Sequence, residues 1–257
     1  MAIASTAVVA FAAQIPESCS IGPYCVIGAE VELGEHCRID AHVVIEGPTR
    51  LGSHNHVFPF TTVGLPPQDI SYAGEPTRLE IGDRNVIREF CSLHRGTRKG
   101  GGVTRIGSDN LIMAYCHVAH DCVIGDHCIL ANCATLGGHV HVEDYATVGA
   151  FSPVHQFCRI GRHSYIGGGT VITQDVLPFS KTSERREASA FGVNGIGLER
   201  RGFAPERIAA LQRAFRVLHK SGLNTSQALE QIKGMPQTED LAALIAFIES
   251  SERGVIK

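Results

Sequence analysis

Residues 117–122 read His-Val-Ala-His-Asp-Cys, with Cys116 just before them. Two imidazoles, a carboxylate and flanking thiols offer three chemistries. They suit a metal site, because histidine, aspartate and thiolate are ordinary zinc ligands. They suit a general base with an orienting acid, because imidazole exchanges protons near neutral pH and a carboxylate on its other nitrogen raises its basicity. They also suit plain solvated surface, where an unpaired histidine usually sits. Further along stand His139, His155 and Gln156. Which of these meet in space depends on the elements that carry them.

The bulk composition narrows the carrier. A 257-residue chain with 44% hydrophobic and 19% charged residues can bury a substantial core as one large domain, or one large and one small. A net charge of −3 leaves no electrostatic footprint for nucleic acid. The N-terminal stretch AIASTAVVAFAAQI lacks a basic lead-in and is too short to span a bilayer. None of the nine cysteines falls in a C-x-x-C pair, and the expected setting is the cytoplasm, with reduced thiols.

The chain counts in sixes. From Ile3, steps of six reach Val9, Ile15, Ile21 and so on to Val63, then Ile81, Ile87 and Leu93. After a slip of one position the series resumes at Ile106 and runs to Ile172, and every member is Ile, Leu or Val. Two places before the aliphatic there is often a small side chain, as at Ala7, Cys25, Cys91, Cys122, Ala134 and Ser164; eight of the nine cysteines occupy this column and only Cys133 does not. One large and one small inward residue per hexad is the signature of a parallel β-helix, in which three hexads make one triangular coil and coils stack at about 4.8 Å. A narrow prism has no room for indole, and the chain contains no Trp. The cysteines become small core residues, and the N-terminal apolar run, being in phase, becomes the first coil.

Two segments interrupt the count and are expected to leave the prism as loops, at 64–80 and 94–105. The first is read as one whole coil, since the interval from Val63 to Ile81 equals three hexads. After Ile172 a charged linker, KTSERREASAFGVNGIG, leads to helical periodicity from Pro205, a short helix after Asn224, and a third near Thr238. The expected division is residues 1–190 for the β-helix and 191–257 for a small α-helical domain that caps its open end.

A coil of three hexads turns sequence distance into proximity. Stepping from His120 reaches Gly138 and then Gln156, which form one outward column; Asp121 lies under His139, with His155 beside Gln156 and His117 one side away. This clustering disfavours ordinary surface histidine. It leaves general-base catalysis ahead of a zinc site of the trimeric gamma carbonic anhydrase type, which histidines complete across a subunit boundary.

The stretches YAGEPTRLEIGDRN (72–85), HRGT…GGG.T.IGSDN (94–110), HVAHDC.IG (117–125), GHV (138–140), VHQFC.IG (154–161) and F.VN..GL.RRGF (191–203) resemble the UDP-N-acetylglucosamine O-acyltransferases of lipid A synthesis. The resemblance implies that the β-helix is left-handed and that the chain forms a homotrimer with active-site clefts between subunits. It also implies transfer of a 3-hydroxyacyl chain from acyl carrier protein to the 3-position of the UDP-sugar, without metal, cofactor or acyl-enzyme. By that resemblance His120 is the general base and Asp121 its partner, and the Gly138 N–H stabilises the thioester oxyanion. His117, His139 and His155 position substrate. Gln68 and Asp69 serve the acyl hydroxyl and the sugar, while Gln156, Asn194, Arg200 and Arg201 serve the nucleotide end. Gly168, where side-chain size sets acyl length, implies a longer chain, with Tyr165 beside it. Arg159, Arg162, Lys181, Arg185 and Arg186 are a candidate landing patch for the acidic carrier. Ser71 and Ile196 stand where many members carry a lysine and an acidic residue, which leaves open a 3-amino UDP-sugar as acceptor.

Overall fold

The structure, a computed structural model, describes residues 2–184, 188–220 and 222–256. Hexads wind into a left-handed parallel β-helix whose strands are mostly two residues long. The first face starts with Ala2–Ile3 and Ser20–Ile21, the second with Val8–Val9 and Val26–Ile27, and the third with Val31–Leu33 and Thr49–Leu51. Register stacks aliphatic on aliphatic: Ile21 on Ile39, Ile39 on Val57, Ile112 on Leu130, Leu130 on Val148. Like side chains thereby fill one continuous interior, and each strand's N–H and C=O groups are satisfied by the coils above and below.

The eight in-column cysteines are all buried, and Cys133 is half-buried. Several donate their thiols to carbonyls, as Cys37 does to Gly52 O at 3.1 Å and Cys122 to Gly137 O at 3.2 Å. Three residues of the same column, Asn55, Asn85 and Asn110, form a buried amide ladder: Asn85 N donates to Asn55 Oδ1 and Asn110 N to Asn85 Oδ1, each at 2.9 Å. Burying amides is tolerated because each finds a partner in the next coil.

Both interruptions leave at the corner between the second and third faces. Val63 pairs with Leu93, and Leu51 with Ile81, so this coil is longer than three hexads by the length of its insertion. The Val63–Ile81 interval is therefore one side of the prism carrying an insertion, not the whole coil expected from its length. The next coil, in which Ile87 pairs with Ile112, is lengthened by the second insertion. The strands flanking the insertions end at Leu65 and begin at Arg78, then end at His94 and begin at Val103, so both loops are shorter than the expected 64–80 and 94–105.

The described residues of the expected linker, 181–184 and 188–197, are instead structured. Ser180–Glu184 adds in parallel to Tyr165–Ile166 and pairs antiparallel with Ala188–Val193. Helix α1, Gly195–Arg200, follows at once; it is too short to show a helical period in sequence. Helices α2 (Pro205–Lys220), α3 (Thr225–Lys233) and α4 (Glu239–Glu249) match the expected periodicity, with Asn224 and Thr238 as N-caps of the last two. Leu211, Phe215, Leu244 and Phe247 pack with Leu177 and Phe179 of the final coil, closing that end. No helix among the described residues is long and apolar enough to cross a membrane.

Candidate active site

His120 and Asp121 form the corner just beyond the two loops, in the first uninterrupted turn between the second and third faces. Asp121 takes the left-handed position of that turn, φ 62°. Its side chain is 1% exposed, while that of His120 is 15% exposed. The carboxylate is outside the prism core, as expected, but it is not open to solvent, because the 95–102 loop folds over it. Thr97 N donates to Asp121 Oδ1 at 2.8 Å, and Thr97 Oγ1 to Oδ2 at 2.6 Å. Asp121 N donates to Thr104 Oγ1 at 2.8 Å. A Cβ on Gly100 would lie 2.0 Å from Asp121 Cγ, so glycine is required for the loop to close.

His120 Nδ1 lies 2.8 Å from Asp121 Oδ2. A carboxylate only accepts, so Nδ1 carries the proton and Nε2 is left as an acceptor. One coil up, a Cβ on Gly138 would meet His120 Cε1 at 2.5 Å and Nε2 at 2.8 Å, so the two positions stack as the hexad spacing requires. Among the described residues no backbone carbonyl accepts the Gly138 N–H. His139 Nε2 is 3.7 Å from Asp121 Oδ2, and its ring stacks on Phe157 at 4.4 Å. Burial lowers the His139 pKa, with Asp121 opposing.

His117 Nδ1 sits 2.7 Å from Ser92 Oγ, and its ring meets His94 edge-on at 5.0 Å. Burial, and next His120, lowers the His117 pKa; burial pushes that of His94 down to about 4. A groove of about 510 Å³ is lined by Gln68, His117, His120, Gly138, His155 and Gln156, among others. Asp69 lies on the same loop as Gln68, its pKa lowered by the N–H and hydroxyl of Ser71 and, less, by His120 and Lys99.

Four expected site residues lie elsewhere. Asn194, Arg200 and Arg201 line a cavity of about 850 Å³ on the first face, with Tyr165, Lys181 and Ile196. Asn194 caps α1 through Gly197 N and donates Nδ2 to His163 O at 3.0 Å. Arg201 lies over the Tyr145 ring at 5.4 Å. Gly168 lines neither cavity; its missing Cβ would face Ala150 O at 3.2 Å. The described members of the expected landing patch are divided between the third face, with Arg159, and the first, with Lys181. Arg159 clasps α4, donating to Ser250 O at 3.2 Å and lying over Phe247 at 4.2 Å. Arg162 and Arg159 both approach Glu143, Lys181 is on the first face, and Arg185 and Arg186 lie outside the described residues.

Sequence reasoning missed Thr97, Thr104, Ser92, His94 and Arg253. The first four become visible only once the second loop is known to lengthen its coil. Arg253 Nη1, which donates to Gln156 O at 2.8 Å, had no local signal at all. Lys99, equally unmarked, donates to Ser71 Oγ at 3.1 Å and so brings a cation to the position where the resemblance implies a lysine.

Among the described residues, His120, Asp121 and His139 hold ligand atoms within 4.8 Å of one another, close enough to share a cation. The Asp121 oxygens are already taken by Thr97 and His120, and His120 Nδ1 bears a proton for that bond. The donor set fits a base and its orienting acid better than a metal cradle.

Known proteins resemble this chain along its whole length. Residues 175–256 match the family model for domain 2 of UDP-N-acetylglucosamine O-acyltransferase, and residues 12–47 and 104–138 match bacterial transferase hexapeptides. The acyl-[acyl-carrier-protein]–UDP-N-acetylglucosamine O-acyltransferase of Thermodesulfovibrio yellowstonii is 46% identical over 256 residues, 99% of each chain. That of Syntrophobacter fumaroxidans is 45% identical over 258 residues, 100% of each. The solved UDP-N-acetylglucosamine acyltransferase of Francisella novicida superposes with a TM-score of 0.96 at 39% identity, over 99% of this chain and 93% of that one. The Moraxella catarrhalis UDP-N-acetylglucosamine O-acyltransferase gives 0.95 at 42% identity, over 100% of both. The repeat architecture, the stacked His120 and Gly138 and these full-length similarities agree: the chain belongs to the UDP-N-acetylglucosamine O-acyltransferase family.

Proposed function

We propose that the protein transfers a 3-hydroxyacyl chain from acyl carrier protein to the 3-oxygen of UDP-N-acetylglucosamine, the step that opens lipid A assembly, as a cytoplasmic homotrimer. His120 Nε2 accepts the sugar hydroxyl proton as the oxygen attacks the thioester carbon, and the Gly138 N–H donates to the developing oxyanion. The new C–O bond forms, the C–S bond breaks, and the thiolate recovers the proton from the imidazolium. Asp121 holds Nδ1 protonated throughout. No acyl-enzyme is needed. Cys116 and Cys122 are buried in the core column, and burial raises the Cys122 pKa to about 12.

The observation that carries this reading is the free Gly138 N–H, one coil above an imidazole whose other nitrogen is bound to a buried carboxylate. Gln68 and Asp69 reach the acyl hydroxyl and sugar from the first loop. His117, His139 and His155 surround them.

A trimer unites the two cavities. The His120 groove spans the second-face strands His117–Val118 to Pro153–Val154, and the Arg201 cavity spans the first-face strands Ile129–Leu130 to Tyr165–Ile166. They occupy the same coils on adjoining faces. Rotation about an axis parallel to the prism brings the first face of one copy against the second face of the next without translation, closing a ring. The corner between those faces carries the exposed ring ladder Tyr24–His42–Phe60–Phe90–Tyr115, spaced 4.8–5.1 Å, with exposed Phe151 beyond it. Such an apolar edge is suited to the axis. Asn194, Gln156, Arg200 and Arg201 would then meet the diphosphate, where guanidinium forks fit.

Mass spectrometry of the product from UDP-N-acetylglucosamine, or its 3-amino analogue, with mixed 3-hydroxyacyl carriers tests the reaction. The ester of the first sugar is expected, with the longer acyl chain preferred at Gly168. Acylation of the amine alone, or of neither, overturns the proposal. Mixed trimers of His120→Ala and Arg201→Ala subunits should regain activity that either parent lacks.

A further inference from the structure

Arg253 follows α4, far from every motif. The segment around it is fixed to the last coil from both sides. Ser251 Oγ donates to Asp175 Oδ2 at 2.8 Å, Asp175 N to Gly254 O at 3.1 Å, and Ile256 N to Asp175 O at 2.9 Å. Ile256 itself is buried in the prism core. The guanidinium is thereby delivered to the rim of the His120 groove. Its Nη1 lies 2.8 Å from Gln156 O and 3.0 Å from His155 Nδ1.

Those two acceptor atoms are 3.1 Å apart, near enough to hydrogen-bond directly if the imidazole carried a proton on Nδ1. Arginine decides otherwise. Nη1 bears two hydrogens and accepts nothing, so each contact uses one of them. A His155 Nδ1 that accepts has no proton, and neutral His155 is then the Nε2–H tautomer. His155 and His120 line the same groove. His120 offers it a bare nitrogen, and His155 an N–H.

We propose that Arg253 is a positioning residue that locks His155 in the Nε2–H form, so that the groove presents a donor to an acceptor oxygen of the nucleotide sugar. The inference rests on the acyltransfer reading for its substrate, but its tautomer is measurable without turnover. Remove the guanidinium, and the 3.1 Å approach to Gln156 O favours a proton on Nδ1. The donor and acceptor ends of the ring exchange, and the oxygen faces a lone pair.

The test is nitrogen NMR of the full-length protein with ¹⁵N-histidine, the His155 signals assigned with His155→Gln. Wild type should show an unprotonated Nδ1 and a protonated Nε2, and Arg253→Met the reverse. Arg253→Lys, which also only donates, should restore the wild-type pattern. With the UDP-sugar, Arg253→Met should raise KM roughly tenfold, the size of one hydrogen bond, with kcat little changed. A wild-type His155 protonated on Nδ1, or a tautomer unmoved in Arg253→Met, overturns the inference. Should Arg253→Met not fold, the wild-type spectrum alone decides. Loss of all turnover in wild type with an Nε2–H His155 would sink the acyltransfer reading and leave the tautomer lock standing.

Discussion

Two neighbouring corners of the same coil use the same residue types to opposite ends. At 120–122 the order is His-Asp-Cys; at 126–128 it is Asp-His-Cys. In the second, His127 takes the left-handed position, φ 57°, and stacks on Tyr145 at 4.7 Å. Asp126 ties coils together: its Oδ1 accepts from Ser108 N at 2.6 Å, and its N–H donates to Asp144 Oδ1 at 2.9 Å. That aspartate staples the prism. In the first corner the acid holds the left-handed position, and a loop buries it against the imidazole. Residue type does not separate the two corners. Order within the turn and the presence of a covering loop do.

The largest break in this comparison should come from the two imidazoles. His120→Ala is expected to lower kcat about 10³-fold, while His127→Ala leaves it within about twofold, since it removes only a ring stack and a 3.9 Å approach to Asp109 away from the groove. Equal losses in steady-state assays would erase the distinction. Next, Gly138→Ala puts a methyl 2.5 Å from the His120 ring and should cost about 10²-fold in kcat through misplacement, with the oligomeric state unchanged by light scattering.

Thr97→Val then sharpens the role of the loop. It deletes the 2.6 Å donation to a buried carboxylate, and should lower kcat about tenfold and stability by about 2 kcal/mol in urea unfolding. Ser108→Ala, at the stapled corner, should cost under about 1 kcal/mol and no activity, since it keeps the backbone N–H that Asp126 accepts and removes only the Oγ that accepts from Asp83 N at 3.0 Å.

The smallest effect is on acid stability. His94 near the site and His163 in the stapled corner are both held at a pKa of about 4 by burial. Below about pH 6.5 the unfolded chain protonates both and the folded chain does not, so stability declines from there to about pH 4 and then levels. His163→Phe should flatten that decline in denaturation midpoints taken between those limits, and His94→Leu should flatten it by a similar amount.

Much of this was legible because the fold repeats its information. Each of Ile21, Ile39 and Val57 announces the same inward position, and an error at one would be outvoted by the rest. The alignment of His120, Gly138 and Gln156 followed from that repeat. Ile3, Val9 and Ile15 keep the phase yet are incompletely buried, since among the described residues only the coil above covers them. What the repeat does not encode stayed hidden. Thr97 and Gly100 sit in an aperiodic loop whose length alters the coil count, so arithmetic across it failed. The 180–193 hairpin shows no hexad, and Arg253 reaches His155 across 98 positions of chain by a contact only the closed tail creates.

Both insertions leave the prism at one edge and rejoin it in register, Ile81 on Leu51 and Ile106 on Ile81. The scaffold therefore tolerates a change of loop length without transmitting it to the layers above. A family built this way can revise the roof over its reacting groups while the walls beneath stay as they are, and exchanging these two segments between relatives would be the most direct route to new acceptors.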